Sequence, residues 1–445
     1  MLNDVLHRNM NFLRIQSTLI FLTFLAVLVF IGIQSGSCSL NTTAQQGDCT
    51  QLQGTQYLAF QLFASGSTDP AGDYKALRPF ISQATMESFF ATVRTKIGSS
   101  NLPCRKVAIM IGPIALDHSK AEISKLITDA FDIAEKYDIA VGFHVDDGMF
   151  WADRKDLWQN PENIEWIDWN KTPNTSRYVD WVTSKLAPEM CFNAPGVQVA
   201  MKDMMTDIAS AIKSRFDNLR GSNKQYLYAG TIVGWETSLD PDRDTQMSSG
   251  YHALSNKGYS ANNLPADMDK ERAAIVREHI EHLAAPLLDA GLPVEKTYAH
   301  IGFLSKKKYD YYASINPNFA KKSYLEVNNF SPPEVAIGKN YTPGFSTYPQ
   351  NGLFDQIYDV VSATAWASCE GTNADLSQGT QPVSPSYGME SYLAKHFNHG
   401  CTLLNIFAFQ LRGDPFTNAL NDVSEGAEAI AAYKKFIRGA QLIEK

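Results

Sequence analysis

Eight apolar runs alternate with helix-like segments between residues 55 and 440, and this alternation limits the fold more than any other feature. Most runs are apolar throughout rather than apolar at every second residue, which is typical of parallel strands covered on both faces. We therefore predict strands at 57–63, 106–112, 139–145, 226–235, 297–303, 335–340, 361–368 and 402–409. The segments between them carry apolar residues at helical spacing, as at 119–137.

Strands that alternate with helices predict an α/β protein, and eight such units favour a (β/α)8 TIM barrel over an open doubly wound sheet. The predicted barrel carries an aromatic-rich insertion after strand 3. No glycine-rich phosphate-binding loop follows strand 1, which weakens nucleotide-binding interpretations.

The first 38 residues have the pattern of a secretory signal peptide. Arg8 and Arg14 precede an uncharged stretch at 17–33, and small residues follow it. The stretch is just short of the roughly 20 residues of a membrane span, so an uncleaved signal anchor or a lipid on Cys38 remain alternatives. We expect a signal at 1–38, a linker at 39–54 and a catalytic barrel at 55–445, secreted or anchored outside the cytoplasm.

Composition and charge limit the classes of partner and cofactor that the chain is expected to bind. The formal net charge is −8 with no Lys/Arg-rich stripe, which argues against nucleic acid. Six cysteines are sparse for an exported chain, and Cys49 and Cys104 are the candidates for a disulfide between the N-terminal tail and the barrel. There is no Cys-x-x-Cys pair or Cys/His cluster, so we expect neither a metal nor another cofactor.

Two glutamates end predicted strands. Glu236 follows the run at 226–235, and Glu370 follows the run at 361–369, which contains Trp366. Carboxylates at the carboxyl tips of barrel strands lie where such barrels keep their chemistry. Retaining glycoside hydrolysis needs one carboxyl as acid/base and one as nucleophile. The alternative is that each glutamate merely begins a loop.

With these strands, the chain resembles the clan A retaining glycoside hydrolases, which are (β/α)8 barrels. The resemblance implies Glu236 after strand 4 as acid/base and Glu370 after strand 7 as nucleophile, acting on β-linked oligosaccharides or polysaccharides. It also implies that Tyr341 hydrogen-bonds the nucleophile, with a surface-loop tyrosine as the alternative. The clan usually has Asn before the acid/base, whereas this chain has Trp235, so no individual family is assigned.

Further substrate contacts are predicted from residues near the strand tips. Trp235 and Trp366 supply apolar walls, and His144 and Asp146 follow strand 3, although a buried histidine is the alternative for His144. Tryptophans cluster in the loop 150–181, beginning with Trp151, and indole faces stack on sugars. The alternative is a loop that packs on itself.

Two other functions stay open from the sequence. One is a catalytically inactive barrel that binds glycans through the same aromatic loop. The other is a metal-assisted hydrolase that uses His144, Asp146 and His300, which lack the spacing of a metal-ligand motif.

Overall fold

The computed structural model describes residues 54–64, 80–148, 151–179, 185–302, 304, 306–347, 370–371, 388–407, 409 and 424–444. All of these belong to the second of two units into which the chain divides, residues 46–445. The predicted signal segment and Trp366 lie outside the described residues.

The centre of this unit is a parallel sheet in the order β5-β4-β3-β2-β1-β8-β7-β6. Its strands are β1 Gln56–Phe63, β2 Arg105–Ile114, β3 Ala140–Val145, β4 Tyr228–Val233, β5 Thr297–Ala299, β6 Ser346–Thr347, β7 Glu370–Gly371 and β8 Leu403–Ile406. Every pair of neighbouring strands is parallel. The predicted α/β class with a parallel sheet is therefore confirmed.

Backbone hydrogen bonds also join the two ends of this strand order. The N–H of Ala299 donates to Thr342 O at 3.0 Å, that of Ile301 donates to Gly344 O at 3.1 Å, and that of Ser346 donates to Ile301 O at 2.9 Å. The chain that leads into β6 consequently lies beside β5, and the carboxyl ends of β4, β5 and β6 meet at one edge.

Helices connect the strands, as their apolar spacing predicts. They are α1 Gln83–Lys96, α2 Lys120–Tyr137, α3 Lys155–Trp158, α4 Pro195–Gly221, α5 Tyr251–Asn256, α6 Met268–Asp289, α7 Lys306–Ile315, α8 Tyr324–Val327, α9 Gly388–Asn398 and α10 Ala427–Ile437. Helix α2 shows how the sequence fixes a start, because Ser119 and Glu122 form a reciprocal capping box at its first turn.

The two faces of the sheet bury different side chains. One face packs against the helices in a large apolar core that includes Phe60, Phe143 and Val233. The other face holds a smaller cluster drawn from β1, β2, β3, β4, β5 and β8: Tyr57, Ala59, Ala108, Met110, Ala140, Ala229, Ile232, Tyr298 and Leu403. On this second face, Tyr298 reaches the Thr402 hydroxyl at 3.3 Å, so residues of β5 and of the start of β8 meet across it.

The prediction for strand 6 was wrong. Residues Pro333–Ala336 form a 3-10 turn, and β6 begins only at Ser346. The predicted strand 7 at 361–368 lies outside the described residues, while β7 is Glu370–Gly371. Cys104 is disulfide-bonded, and its predicted partner Cys49 lies outside the described residues.

Within the described part of the chain, no helix is both long and apolar enough to span a membrane.

Candidate functional site

Glu236 lies in a tight turn directly after β4. Its φ is 52°, in the left-handed region, and Gly234 before it has a φ of 85°. A Cβ on Gly234 would lie 2.2 Å from the Thr237 hydroxyl, so this position requires glycine. A left-handed conformation costs a non-glycine residue roughly 1–2 kcal/mol. Backbone strain of this kind concentrates at functional sites, and here it falls on a predicted catalytic residue.

A buried carboxylate holds this turn in shape. Asp147, which follows β3, accepts the Trp235 N–H at 3.2 Å and the Thr237 hydroxyl at 2.6 Å, and His279 Nε2 lies 3.5 Å from it. Burial raises the pKa of Asp147, but the bond and charge from His279 and the bonds from Thr237 and Trp235 together lower it below its usual value. Asp147 is therefore an ionised anchor of the turn that carries Glu236.

The Glu236 carboxyl is half-buried between β5 and β6. Its Oε1 atom accepts a hydrogen bond from the Ser346 hydroxyl at 2.6 Å. On the other side, a Cβ added to Gly302 would lie 2.7 Å from the same oxygen. The absence of a side chain at Gly302 thus makes the space in which this carboxyl sits.

Two histidines extend the contact made by Ser346. His300 Nε2 lies 2.7 Å from Ser346 Oγ, and His300 Nδ1 lies 3.0 Å from His144 Nε2. His144 Nε2 is also 3.1 Å from the Gly234 carbonyl, and its ring stacks on Trp235 with centroids 4.1 Å apart. Burial and the nearby His300 lower the pKa of His144 well below its usual value, against the bond to Gly234. His144 is therefore neutral at ordinary pH.

Glu370 begins β7, and its backbone is what the structure describes. In the sheet register, Glu370 is the Cα partner of Ser346. Neighbouring strands lie about 4.8 Å apart, so this position is next to the residue that hydrogen-bonds Glu236.

An aromatic patch lies beside the turn. Trp235 is only 8% exposed and forms a small apolar cluster with Ala115, against which Phe63 and Phe407 pack. The Phe63 ring centroid lies 6.4 Å from that of Trp235 and 5.5 Å from that of Phe407. Phe63 ends β1 and Phe407 follows β8, so the patch lies at the carboxyl edge of the sheet.

Other predicted contacts occupy different places. Asp146 is buried and accepts the Gly148 N–H at 2.9 Å, which shapes the chain after β3. The Trp151 indole is fully buried and donates to Pro188 O at 3.1 Å. Trp151 therefore belongs to the packing of its loop and not to a sugar-facing wall.

Tyr341 has a different role from the predicted one. Its buried hydroxyl donates to Val335 O at 2.7 Å. Because β6 begins at Ser346, Tyr341 precedes this strand instead of following strand 6, and it lies toward the amino end of the sheet. The contact with Val335 gives Tyr341 a structural partner away from Glu236.

The described part of the aromatic loop packs on its own neighbours. Trp166 stacks on His252 with centroids 3.9 Å apart, and Trp169 meets the Tyr251 ring edge-on at 5.2 Å. Trp158 donates to Ala152 O at 2.9 Å. These contacts correspond to the self-packed alternative and leave the predicted wall of sugar subsites without support from these three indoles.

Sequence reasoning missed Ser346, Gly302, Phe63 and Phe407. Ser346 carried no signal, because it lay in a segment expected to be a loop. His300 entered only as part of a metal site, yet its position two residues after Tyr298 placed it on the same sheet face as that inward residue. Among the described residues, no group of three or more His, Cys, Asp or Glu side chains converges as a metal-binding set.

Comparisons with known proteins give structural likeness alone. No protein-family model and no curated protein sequence matches the chain. Similar solved structures include the catalytic domain of a β-amylase from Paenibacillus polymyxa (10% identity, 86% of this chain and 98% of that chain, TM-score 0.46). They also include a GH5-4 broad-specificity endoglucanase from an uncultured bacterium (8% identity, 84% and 93%, TM-score 0.43). A third is the catalytic domain of a GH26 endo-β-1,4-mannanase from Bacillus sp. JAMB-750 (11% identity, 86% and 85%, TM-score 0.39). Likeness of this degree assigns no activity to the chain.

Proposed function

We propose that the protein is a retaining glycoside hydrolase built on a (β/α)8 barrel, with Glu236 as acid/base and Glu370 as nucleophile. One observation carries the proposal: Glu236 is hydrogen-bonded to Ser346, and Ser346 is the register partner of Glu370. It supports the proposal because Glu370 then lies on the strand next to the residue that bonds Glu236, and retaining enzymes need their two carboxyl groups about 5–5.5 Å apart.

The reaction would proceed in two steps. Glu370 attacks the anomeric carbon while Glu236 gives its proton to the leaving glycosidic oxygen, which forms a glycosyl-enzyme ester and releases the aglycone. Glu236 then takes a proton from water, whose oxygen displaces Glu370 and restores both carboxyls. The net change is the addition of one water across the glycosidic bond.

The substrate we propose is a β-linked oligosaccharide or polysaccharide. The aromatic patch of Trp235, Phe63 and Phe407 at the same sheet edge supports this, because aromatic faces pack on the apolar faces of sugar rings. We leave Trp151 and Tyr341 out of the proposed substrate contacts, since both side chains have partners elsewhere.

We further propose that the barrel acts outside the cytoplasm, secreted or attached to a membrane through its N-terminal segment. The uncharged stretch 17–33 behind Arg8 and Arg14 supports export. Fractionation of the source cells, with N-terminal sequencing of the exported form, distinguishes a cleaved signal from a retained anchor.

The catalytic proposal is tested by azide rescue. Glu370→Ala should lose turnover of aryl β-glycosides and regain it with azide, giving a glycosyl azide of inverted configuration. Glu236→Ala should keep activity on substrates with good leaving groups, and azide should give the retained configuration. Glu334, exposed on a 3-10 turn, provides the matched control Glu334→Ala, which should behave as wild type.

Two results would count against the proposal. Equal turnover by wild type and Glu370→Ala would exclude Glu370 as the nucleophile. No turnover by wild type on a broad panel, with glycan binding retained, would favour the inactive glycan-binding barrel.

A further inference from the structure

The hydrogen bonds that lead from His144 through His300 and Ser346 to Glu236 all run from donor to acceptor in one direction. The Gly234 carbonyl determines that direction. A carbonyl oxygen can only accept, so the His144 Nε2 atom 3.1 Å away must carry the hydrogen. His144 Nδ1 is then unprotonated, and it is a buried atom without a hydrogen-bond partner in the described structure. A buried acceptor is left unpaired more readily than a buried donor.

The direction passes from His144 to His300. His144 Nε2–H points at His300 Nδ1 across 3.0 Å, so Nδ1 must be the acceptor. A hydrogen on both nitrogens would set two donors against each other. His300 is therefore the neutral Nε2–H tautomer as well, and it donates to Ser346 Oγ at 2.7 Å.

Ser346 receives this bond and must direct its own hydrogen elsewhere. In the structure this hydroxyl donates to Glu236 Oε1 at 2.6 Å. Oε1 is consequently an acceptor in every protonation state that keeps the chain intact. A proton on Glu236 has to lie on the other oxygen, Oε2.

We propose that His144, His300 and Ser346 form a directional hydrogen-bond chain that positions Glu236 and assigns its transferable proton to Oε2. This inference rests on the proposed function only in naming Glu236 as the acid. The three residues are positioning residues, since none needs to touch the substrate.

The surroundings keep the chain neutral and still. The flat stack of His144 on Trp235 fixes the first imidazole, at an interplanar angle of 6°. The low pKa of His144, caused first by burial, keeps a second hydrogen off its ring. The ionised Asp147 contacts the Trp235 N–H, the Thr237 hydroxyl and His279.

The first test reads the tautomers directly and needs no activity. Long-range 1H–15N correlation spectra of the full-length chain with 15N-labelled histidine distinguish Nε2–H from Nδ1–H rings, and His144→Asn and His300→Asn assign two of the nine signals. We expect both rings to be neutral Nε2–H tautomers from pH 5 to pH 7. An Nδ1–H tautomer or an imidazolium at either position would overturn the proposal, whether or not the protein is a glycosidase.

The second test measures the pH dependence of catalysis by Glu236 as the acid. Ser346→Ala removes the donor to the charged form of Glu236, so the alkaline limb of the kcat/KM profile should move up by about one pH unit. Ser346→Thr keeps the hydroxyl and should restore the wild-type limb. Ser331→Ala removes another buried serine hydroxyl outside the site and should leave the limb in place. An unshifted limb in Ser346→Ala would refute the positioning role, whereas an inactive wild type would refute the proposed function and leave the tautomer test decisive.

Discussion

Substituting Gly302 by alanine perturbs the Glu236 carboxyl with a single methyl group. The added Cβ would lie 2.7 Å from Glu236 Oε1 and 2.8 Å from its Cδ. Ordinary contact begins near 3.4 Å, so the oxygen must retreat by about 0.7 Å. The atoms in the way are the end of a flexible side chain and not backbone, so the carboxyl should move and the sheet should stay.

The magnitude follows from what that movement breaks. The 2.6 Å bond from Ser346 to Oε1 is stretched or lost, which should lower the free energy of unfolding by about 1 kcal/mol. A misplacement approaching 1 Å at a reacting group costs on the order of 10²-fold in rate. We expect Gly302→Ala to lower kcat roughly 10- to 100-fold on an aryl β-glycoside, while urea unfolding shows a loss of only about 1 kcal/mol.

The matched control is Gly221→Ala, because a Cβ there meets no atom within 4 Å. It should leave kcat unchanged and should not lower the urea midpoint, since alanine is favoured over glycine in a helix. Wild-type kcat in Gly302→Ala would refute the reasoning that the Glu236 carboxyl must occupy this space. A loss of stability above about 3 kcal/mol would show instead that the backbone had to move.

Three further predictions concern stability. Burial raises the pKa of Glu165 from 4.5 to about 7, so its contribution to folding stability is full below pH 4.5 and is lost as pH rises through 7. The free energy of unfolding in urea should therefore decline over this pH range, and Glu165→Gln should remove about 3 kcal/mol of the decline. An unchanged pH dependence in Glu165→Gln would contradict this prediction. Burial lowers the pKa of Lys296 from 10.5 to about 8, so the free energy of unfolding should rise between pH 8 and 10.5. Lys296→Met should abolish about 3 kcal/mol of that rise. If stability still rises with pH in Lys296→Met, other groups cause the rise. Tyr341→Phe removes the bond to Val335 and should cost about 1 kcal/mol without changing kcat, whereas a large loss of kcat would restore Tyr341 to the site.

Long apolar runs made much of the sheet predictable. The run at 139–145 became β3 at Ala140–Val145, and the helical spacing at 119–137 became helix α2 at Lys120–Tyr137. Strand β6 was not predictable in this way, because two residues carry no periodicity. The apolar segment after Pro332 has the composition of a strand. Two successive prolines nevertheless favour the φ of a turn, and the structure has a 3-10 turn there.

The same distinction between local pattern and tertiary contact applies to the residues of the candidate site. A strand that ends on a carboxylate is visible in the sequence, so Glu236 could be predicted. His144 could be predicted as well, because it lies near the end of an apolar run, two residues before Asp146. The hydroxyl of Ser346 and the gap at Gly302 were not, because their use depends on which residues of β5 and β6 lie level with the end of β4. That register is a tertiary property, and no local pattern encodes it.

The turn that carries Glu236 departs from the local backbone preferences of its sequence. Glu236 takes a left-handed backbone that its residue type disfavours, at roughly 1–2 kcal/mol. Two bonds to Asp147 and one from Ser346 offset that cost, each worth about 1 kcal/mol or more when an ionised acceptor is involved. A regular strand end would need none of these contacts. The departure from local preference and the polar contacts that sustain it therefore mark the same place, the turn that presents Glu236 at the edge of the sheet.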